Sequence, residues 1–268
     1  MTSQFTSIPF RASILAESDG GRALSWGDPR EVFPLASVTK LFTAYSALIA
    51  ISRGLITVNA PAPYSGVTLE HLLSHASGMA MGERRMQRAP EVRRIYSNEG
   101  IEVAAQMLEE ATGTPIGRWI EESISEPLGL SSLEVEGSPA YSGCANAEDL
   151  MLFARELTRP TLVSEELLAV ATSVHFPQLD GIVPGYGNFR PCPWGLGFEI
   201  KGAKEPHWSA PSSSERTFGH FGQAGSFLWV DPIPGERAVF VGEEAFGSWH
   251  HEHWASMNEE ILRSMRGQ

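Results

Sequence analysis

Cationic residues are scarce in this sequence. Its 268 residues carry 20 Lys and Arg against 32 Asp and Glu, a formal net charge of -12. A surface of that sign repels phosphate backbones, so no nucleic-acid partner is expected. The short basic cluster Arg84, Arg85, Arg88, Arg93 and Arg94 reads as a solvated loop and helix start. Cysteine is rarer still: Cys144 and Cys192 stand far apart, which leaves neither a disulfide framework nor a metal motif. No stretch approaches the roughly 18 uninterrupted apolar residues of a membrane span. The opening MTSQFTSIPFRASILAESDG has no basic region followed by an apolar run. No secretory leader is therefore expected, and a cytoplasmic protein with free thiols is. There is no glycine-rich phosphate loop and no dinucleotide fingerprint. His250, His251, Glu252 and His253 are consecutive, and neighbours on a helix diverge in direction, so neither a metal nor another cofactor is expected.

What remains is ample core material, 42% hydrophobic with 13 Phe and 7 Trp. Two alternating stretches, residues 11–17 and 22–26, flank Asp19-Gly20-Gly21 and predict a hairpin. A helix follows over about 37–52, with Leu41, Phe42, Tyr45, Leu48 and Ile49 on a buried stripe and Gly54 past its end. Residues 55 to about 180 read as helices: one capped by Thr68, one over 100–110, one opened by Pro115, one capped by Asn146, one begun by Ser164. Residues 174–193 form a loop with four prolines and three glycines; loops of that length often line a binding site. Strands are expected at 195–201, 226–231 and 237–243, then a helix over 251–265. Two early strands cannot bury a face alone, so they join the late three. The fold class is thus α+β: an antiparallel sheet of about five strands flanked by helices, with an inserted helical region. The expected domains are 1–54 with 181–268, carrying the sheet, and 55–180, all helical.

Three places carry chemistry. Ser37-Val38-Thr39-Lys40 puts a hydroxyl at a helix start, near unpaired N–H groups, with a lysine one turn on. A lysine facing an apolar interior tends to lose its proton and can then take the serine's. The pattern is short and common in unrelated chains, and a capping serine with a surface lysine is the plainer reading of it alone. Tyr96-Ser97-Asn98 offers a phenol for proton relay, if nearby cations lower its pKa, and an amide to hold the lysine or the substrate. An Asn helix cap beside a core tyrosine reads equally well from these residues alone. Gly219-His220-Phe221-Gly222-Gln223 precedes a strand or lies at its edge. Gly222 permits close backbone approach, the N–H of Gln223 joins that of Ser37 as an oxyanion donor, and His220 is a polar wall able to donate to Tyr96. Phe221 and Gly222 are placed at the substrate.

Taken in order, these residues resemble the penicillin-recognising serine hydrolases: class C beta-lactamases, D-alanyl-D-alanine carboxypeptidases and their esterase relatives. Ser37-x-x-Lys40 is similar to the first motif of that group and Tyr96-x-Asn98 to the second. His220-x-Gly222 stands where many members carry Lys-Thr-Gly. Leu72-Leu73-Ser74-His75-Ala76-Ser77-Gly78 and Trp194-Gly195-Leu196-Gly197-Phe198 resemble structural signatures of the group. The resemblance implies a beta-lactamase/transpeptidase-like fold and acyl-enzyme hydrolysis. His and Phe at 220 and 221 are poor anchors for a substrate carboxylate. That favours a small, weakly charged ester or amide over a beta-lactam or a D-alanyl peptide. A non-catalytic penicillin-binding or sensing module is the further alternative. The expected partner is a small-molecule acyl substrate; oligomeric state is left open.

Overall fold

The computed structural model describes residues 8–267. Residues 1–7 and 268, the outer ends of the expected sheet-bearing domain, lie outside the described residues. The early hairpin is β1 (Ala12–Ser18) with β2 (Ala23–Trp26). A two-residue strand β3 (Phe33–Pro34) leads to α1 (Thr39–Ser52). The helices that follow are α2 (Leu69–Leu73), α3 (Asn98–Thr112), α4 (Ile116–Ile120) and, after a π-turn, α5 (Glu126–Leu128). Short strands β4 (Glu134–Val135) and β5 (Gly143–Ala145) precede α6 (Ala147–Glu156) and α7 (Glu165–Ala171). The remainder is β6 (Gly181–Val183), β7 (Gly187–Phe189), β8 (Glu199–Ile200), β9 (Phe218–Gly222), β10 (Ser226–Asp231), β11 (Glu236–Gly242) and α8 (Ser248–Arg266).

The main sheet has six strands, ordered β2-β1-β11-β10-β9-β8. The early pair joins the late strands through β1 and β11, with Ile14 opposite Phe240. The expected count of five falls short by β9, which pairs with β10 from Phe218–Val230 to Gly222–Ser226. Its sequence FGHFG hides it: two glycines replace side chains, and all five residues are buried, so no polar alternation marks the strand. The strand expected over 195–201 shrinks to Glu199–Ile200, because Gly197 turns at φ +84° where a Cβ would lie 2.1 Å from that of Ala44. The long loop over 174–193 holds the β6–β7 hairpin, and β3-β5-β4 form a further small sheet.

Strand alternation assigns the two faces. Leu228, Val230, Val239 and Val241 pack with α1 and the helices, while Phe227, Trp229 and Phe240 pack with Trp254, Ile261 and Leu262 of α8. Every residue of α1 from Thr39 to Ala50 is buried, as befits a helix surrounded on all sides. One reading of the basic cluster is corrected here. Arg94 is buried, and its guanidinium donates to the carbonyls of Ser74, His175, Phe176 and Cys192. No described helix is long and apolar enough to cross a membrane.

Candidate active site

Ser37 lies in a 3-10 turn, Ala36–Val38, just ahead of α1 rather than as its first residue. Ala36 is held at φ +43°, a conformation a side chain resists and the surroundings must enforce. They do so from both sides. Thr39 Oγ1 donates to Ala36 O at 2.6 Å and accepts from Gly143 N at 2.9 Å. Ser226 Oγ donates to Leu35 O at 2.8 Å. Gly222 presses on the same carbonyl, since a Cβ there would lie 2.1 Å from Leu35 O. Its missing side chain lets β9 approach the turn that carries Ser37; it is not among the residues lining the cavity described below.

Lys40 is fully buried on the first turn of α1. Its Nζ stands 3.1 Å from Ser37 Oγ, 2.7 Å from Asn98 Oδ1 and 2.8 Å from Ala140 O. A neutral amine has two N–H bonds and one lone pair. The two carbonyl oxygens take the hydrogens, which leaves the lone pair for the serine hydroxyl. Burial brings the pKa down to about 7, against the attraction of the Glu102 carboxylate. Glu102 also accepts from Ser138 Oγ, which in turn accepts from Ala140 N at 3.2 Å. The carbonyl that holds Lys40 is thus itself fixed.

Ser97 caps α3, accepting from Gly100 N at 2.9 Å, so Asn98 is the helix's first residue and not its cap. Tyr96, just before, donates to Ser37 Oγ at 2.7 Å. Burial pushes this phenol above its ordinary range, so the condition of a cation-lowered pKa, on which the sequence made proton relay depend, is not met. Tyr96 therefore stays protonated and acts as a donor. His220 Nε2 stands 3.4 Å from the phenol oxygen, and Nδ1 lies 2.6 Å from Phe221 O. The second contact assigns the proton to Nδ1, so Nε2 turns a lone pair toward Tyr96 and cannot donate to it; the phenol's one hydrogen goes to Ser37 here. Burial and the nearby Lys40 lower His220 to about 4, which keeps it neutral. Two rings set the phenol's angle, His75 at 4.6 Å and Trp194 at 5.9 Å between centroids. Tyr96→Phe preserves that packing and deletes the hydroxyl. It is expected to lower kcat/KM by roughly 100-fold or more, the scale of a lost acid–base group, with little change in thermal stability.

These groups floor a cavity of about 370 Å³. Ser37, Tyr96, Asn98, His220, Phe221 and Gln223 all line it; Lys40 lies beneath. The rest of its wall is largely apolar, with Met81, Tyr141, Val183, Pro184 and Trp194. Glu199 also lines it and was not anticipated from the sequence. Its carboxylate accepts from Lys204 Nζ at 3.0 Å and Trp208 Nε1 at 2.7 Å, with His207 Nε2 at 3.1 Å. Burial opposes its charge, yet Lys204 and His207 hold its pKa far below the usual carboxylate range. The signal was a lone acid within Trp194-Gly-Leu-Gly-Phe-Glu199-Ile, followed by two lysines and a histidine. Such an acid is buried and paired or it is not there at all. Glu199→Gln strands a buried ammonium and should lower unfolding free energy by about 3 kcal/mol, measured by urea denaturation.

Cys144 and Cys192 are both free, and burial raises both thiols, which disfavours the nucleophilic thiolate. His250 Nδ1 faces Gly247 N at the start of α8, and His253 Nδ1 faces Trp249 O. Among the described residues, no group of three or more His, Cys, Asp or Glu is placed to hold a metal ion.

The beta-lactamase family model matches residues 13–241. A crystal structure of a beta-lactamase from Mycobacterium bovis superposes with a TM-score of 0.95 at 39% identity, over 98% of each chain. A D-amino acid amidase from Ochrobactrum anthropi superposes with a TM-score of 0.80 at 16% identity, over 99% of this chain and 96% of that one, which shows the shared fold alone. Among curated proteins, penicillin-binding protein 4* of Bacillus subtilis is 28% identical over a match covering 39% of this chain. That match spans 30% of the relative's own length.

Proposed function

The chain belongs to the beta-lactamase family of serine hydrolases, and from that premise we propose that it opens beta-lactam amides through an acyl-enzyme on Ser37. The sequence alone ranked a small ester or amide first. The matched family and the 39%-identical relative favour the beta-lactam reading instead. The observation that carries the mechanism is the lysine lone pair directed at Ser37 by two carbonyl oxygens.

Neutral Lys40 takes the Ser37 proton as Oγ bonds to the substrate carbonyl carbon. The N–H groups of Ser37 and Gln223 face the developing oxyanion. As the carbon–nitrogen bond breaks, the Tyr96 phenol gives its proton to the departing nitrogen. The proton held on Lys40 then returns to the tyrosine oxygen, restoring both. His220 accepts from the phenol when Ser37 is acylated, which keeps the hydroxyl in position. Water repeats the sequence on the ester and frees Ser37. Residues 1–54 with 181–268 supply Ser37, His220 and Gln223; residues 55–180 supply Tyr96 and Asn98. We read these as the two domains whose junction holds the substrate. The two free thiols fit a reducing, cytoplasmic compartment.

One observation favours a second reading, ester hydrolysis: the cavity walls are mostly apolar and carry no Lys or Arg. Turnover of nitrocefin beside that of a short-chain nitrophenyl ester separates the two. Nitrocefin turnover with a transient penicilloyl adduct on Ser37 supports the first. Ester turnover with no beta-lactam adduct replaces it with the second.

A further inference from the structure

Among the described residues the cavity over Ser37 has no cation on its walls, but its neighbour has three. A second cavity of about 270 Å³ shares Met81, Tyr96 and Pro184 with the first, and Arg88, Arg93 and Arg94 line it, the last with its guanidinium already bonded to carbonyls. We propose that Arg88 and Arg93 anchor a carboxylate of the substrate, set across Met81 from the acylation site. This rests on the hydrolase reading above and narrows its substrate class to anionic beta-lactams and acyl compounds.

The charges of this region support the assignment. The chain is acidic overall at -12, yet Arg88 and Arg93 have no carboxylate partner among the described residues. The acids near this loop are committed elsewhere: Glu83 to Arg85, Glu99 to Arg84, Glu91 to His71, Asp180 to Arg190. Arg94, next in sequence, spends its guanidinium on four carbonyls. Among the described residues Arg88 makes no side-chain hydrogen bond or ion pair, and Arg93 donates only to the neutral Asn188 Oδ1, at 2.6 Å. That bond ties Arg93 to β7 and limits its freedom while most of its donors stay available. A forked guanidinium matches a carboxylate bidentately. Two of them also offset locally the repulsion that so acidic a protein imposes on an anion.

The test separates binding from chemistry by using the Ser37→Ala protein, titrated with benzylpenicillin and with its methyl ester at low salt. The two ligands differ by one methyl group, which removes the charge. Binding is read by calorimetry. Benzylpenicillin is expected to bind roughly tenfold more tightly, the scale of about one charge-assisted contact, and the margin should narrow as salt is added. Arg88→Gln with Arg93→Gln should erase the margin. The double Lys variant keeps the charge and should retain part of it. Equal affinity for the two ligands, no binding of either, or a margin that survives the double Gln change would overturn the proposal. The hydrolase reading fails by a different sign: protein with Ser37 intact forms no acyl adduct and turns over neither substrate.

Discussion

Ser37→Ala protein is expected to lose hydrolysis by a factor on the order of 10⁴ to 10⁶, the range seen when a serine nucleophile is removed. The reason is local. Ser37 Oγ is the hydroxyl that meets both the Lys40 amine at 3.1 Å and the Tyr96 phenol at 2.7 Å. Both partners would survive the substitution, yet neither could form the ester on which the second half-reaction depends. Water in the vacated space would face the same base, but without the bonded proximity that makes acyl transfer fast. The fold should hold, because among the described residues the hydroxyl makes no other bond and the turn is fixed through Thr39, Gly222 and Ser226. The check is twofold: initial rates on nitrocefin and a nitrophenyl ester, and intact mass after exposure to a penicillin. A penicilloyl mass increment persisting in the Ala variant would remove Ser37 from the nucleophile's role.

Much of this arrangement was readable from residue order, and what was not has physical causes. The hairpin, the cap at Asn146 and the helix at 165–171 each rest on local chemistry, so their signals are local too. β9 escaped because a strand buried on both faces loses its alternation, and FGHFG adds glycines where β-branched residues would advertise it. Its register is what turns His220, opposite Leu228, toward the α1 side of the sheet, and no linear pattern contains that. Lys40 could be placed one turn from Ser37 from spacing alone. That Ala140 O would take one of its hydrogens could not, because the contact spans 100 residues and a backbone carbonyl carries no residue-specific mark. The direction of the Tyr96 shift was left as a condition for a similar reason. A cation-lowered phenol was the condition for a relay, whereas burial raises the phenol, and burial of one side chain is a tertiary fact.

Lys40 carries the second large effect, and pH is the way to see it. With its pKa near 7, the neutral fraction rises about tenfold per unit below that point and saturates above it. Log kcat/KM should therefore climb with unit slope on the acid side and level off past pH 7. An ordinary lysine would place that limb above pH 10. Glu102→Gln removes the carboxylate that raises the value and should move the limb toward lower pH without flattening it. Lys40→Met, which fills the space without a base, should cost roughly 10³- to 10⁴-fold in kcat/KM and abolish the acid limb. Stability should move the other way. Lys40 titrates at about 7 folded against 10.5 unfolded, so the unfolded chain binds more protons between those values and stability rises with pH across that window. Below pH 7 both states hold the proton and the full cost of burying an ammonium is present. The Met variant escapes that cost and should unfold at higher urea than the wild type at pH 6, with the advantage shrinking as pH rises toward 10. A wild-type acid limb unmoved by Glu102→Gln and a Met variant less stable at pH 6 would together mean that Lys40 is held as an ammonium. The serine proton would then have to leave by way of Tyr96.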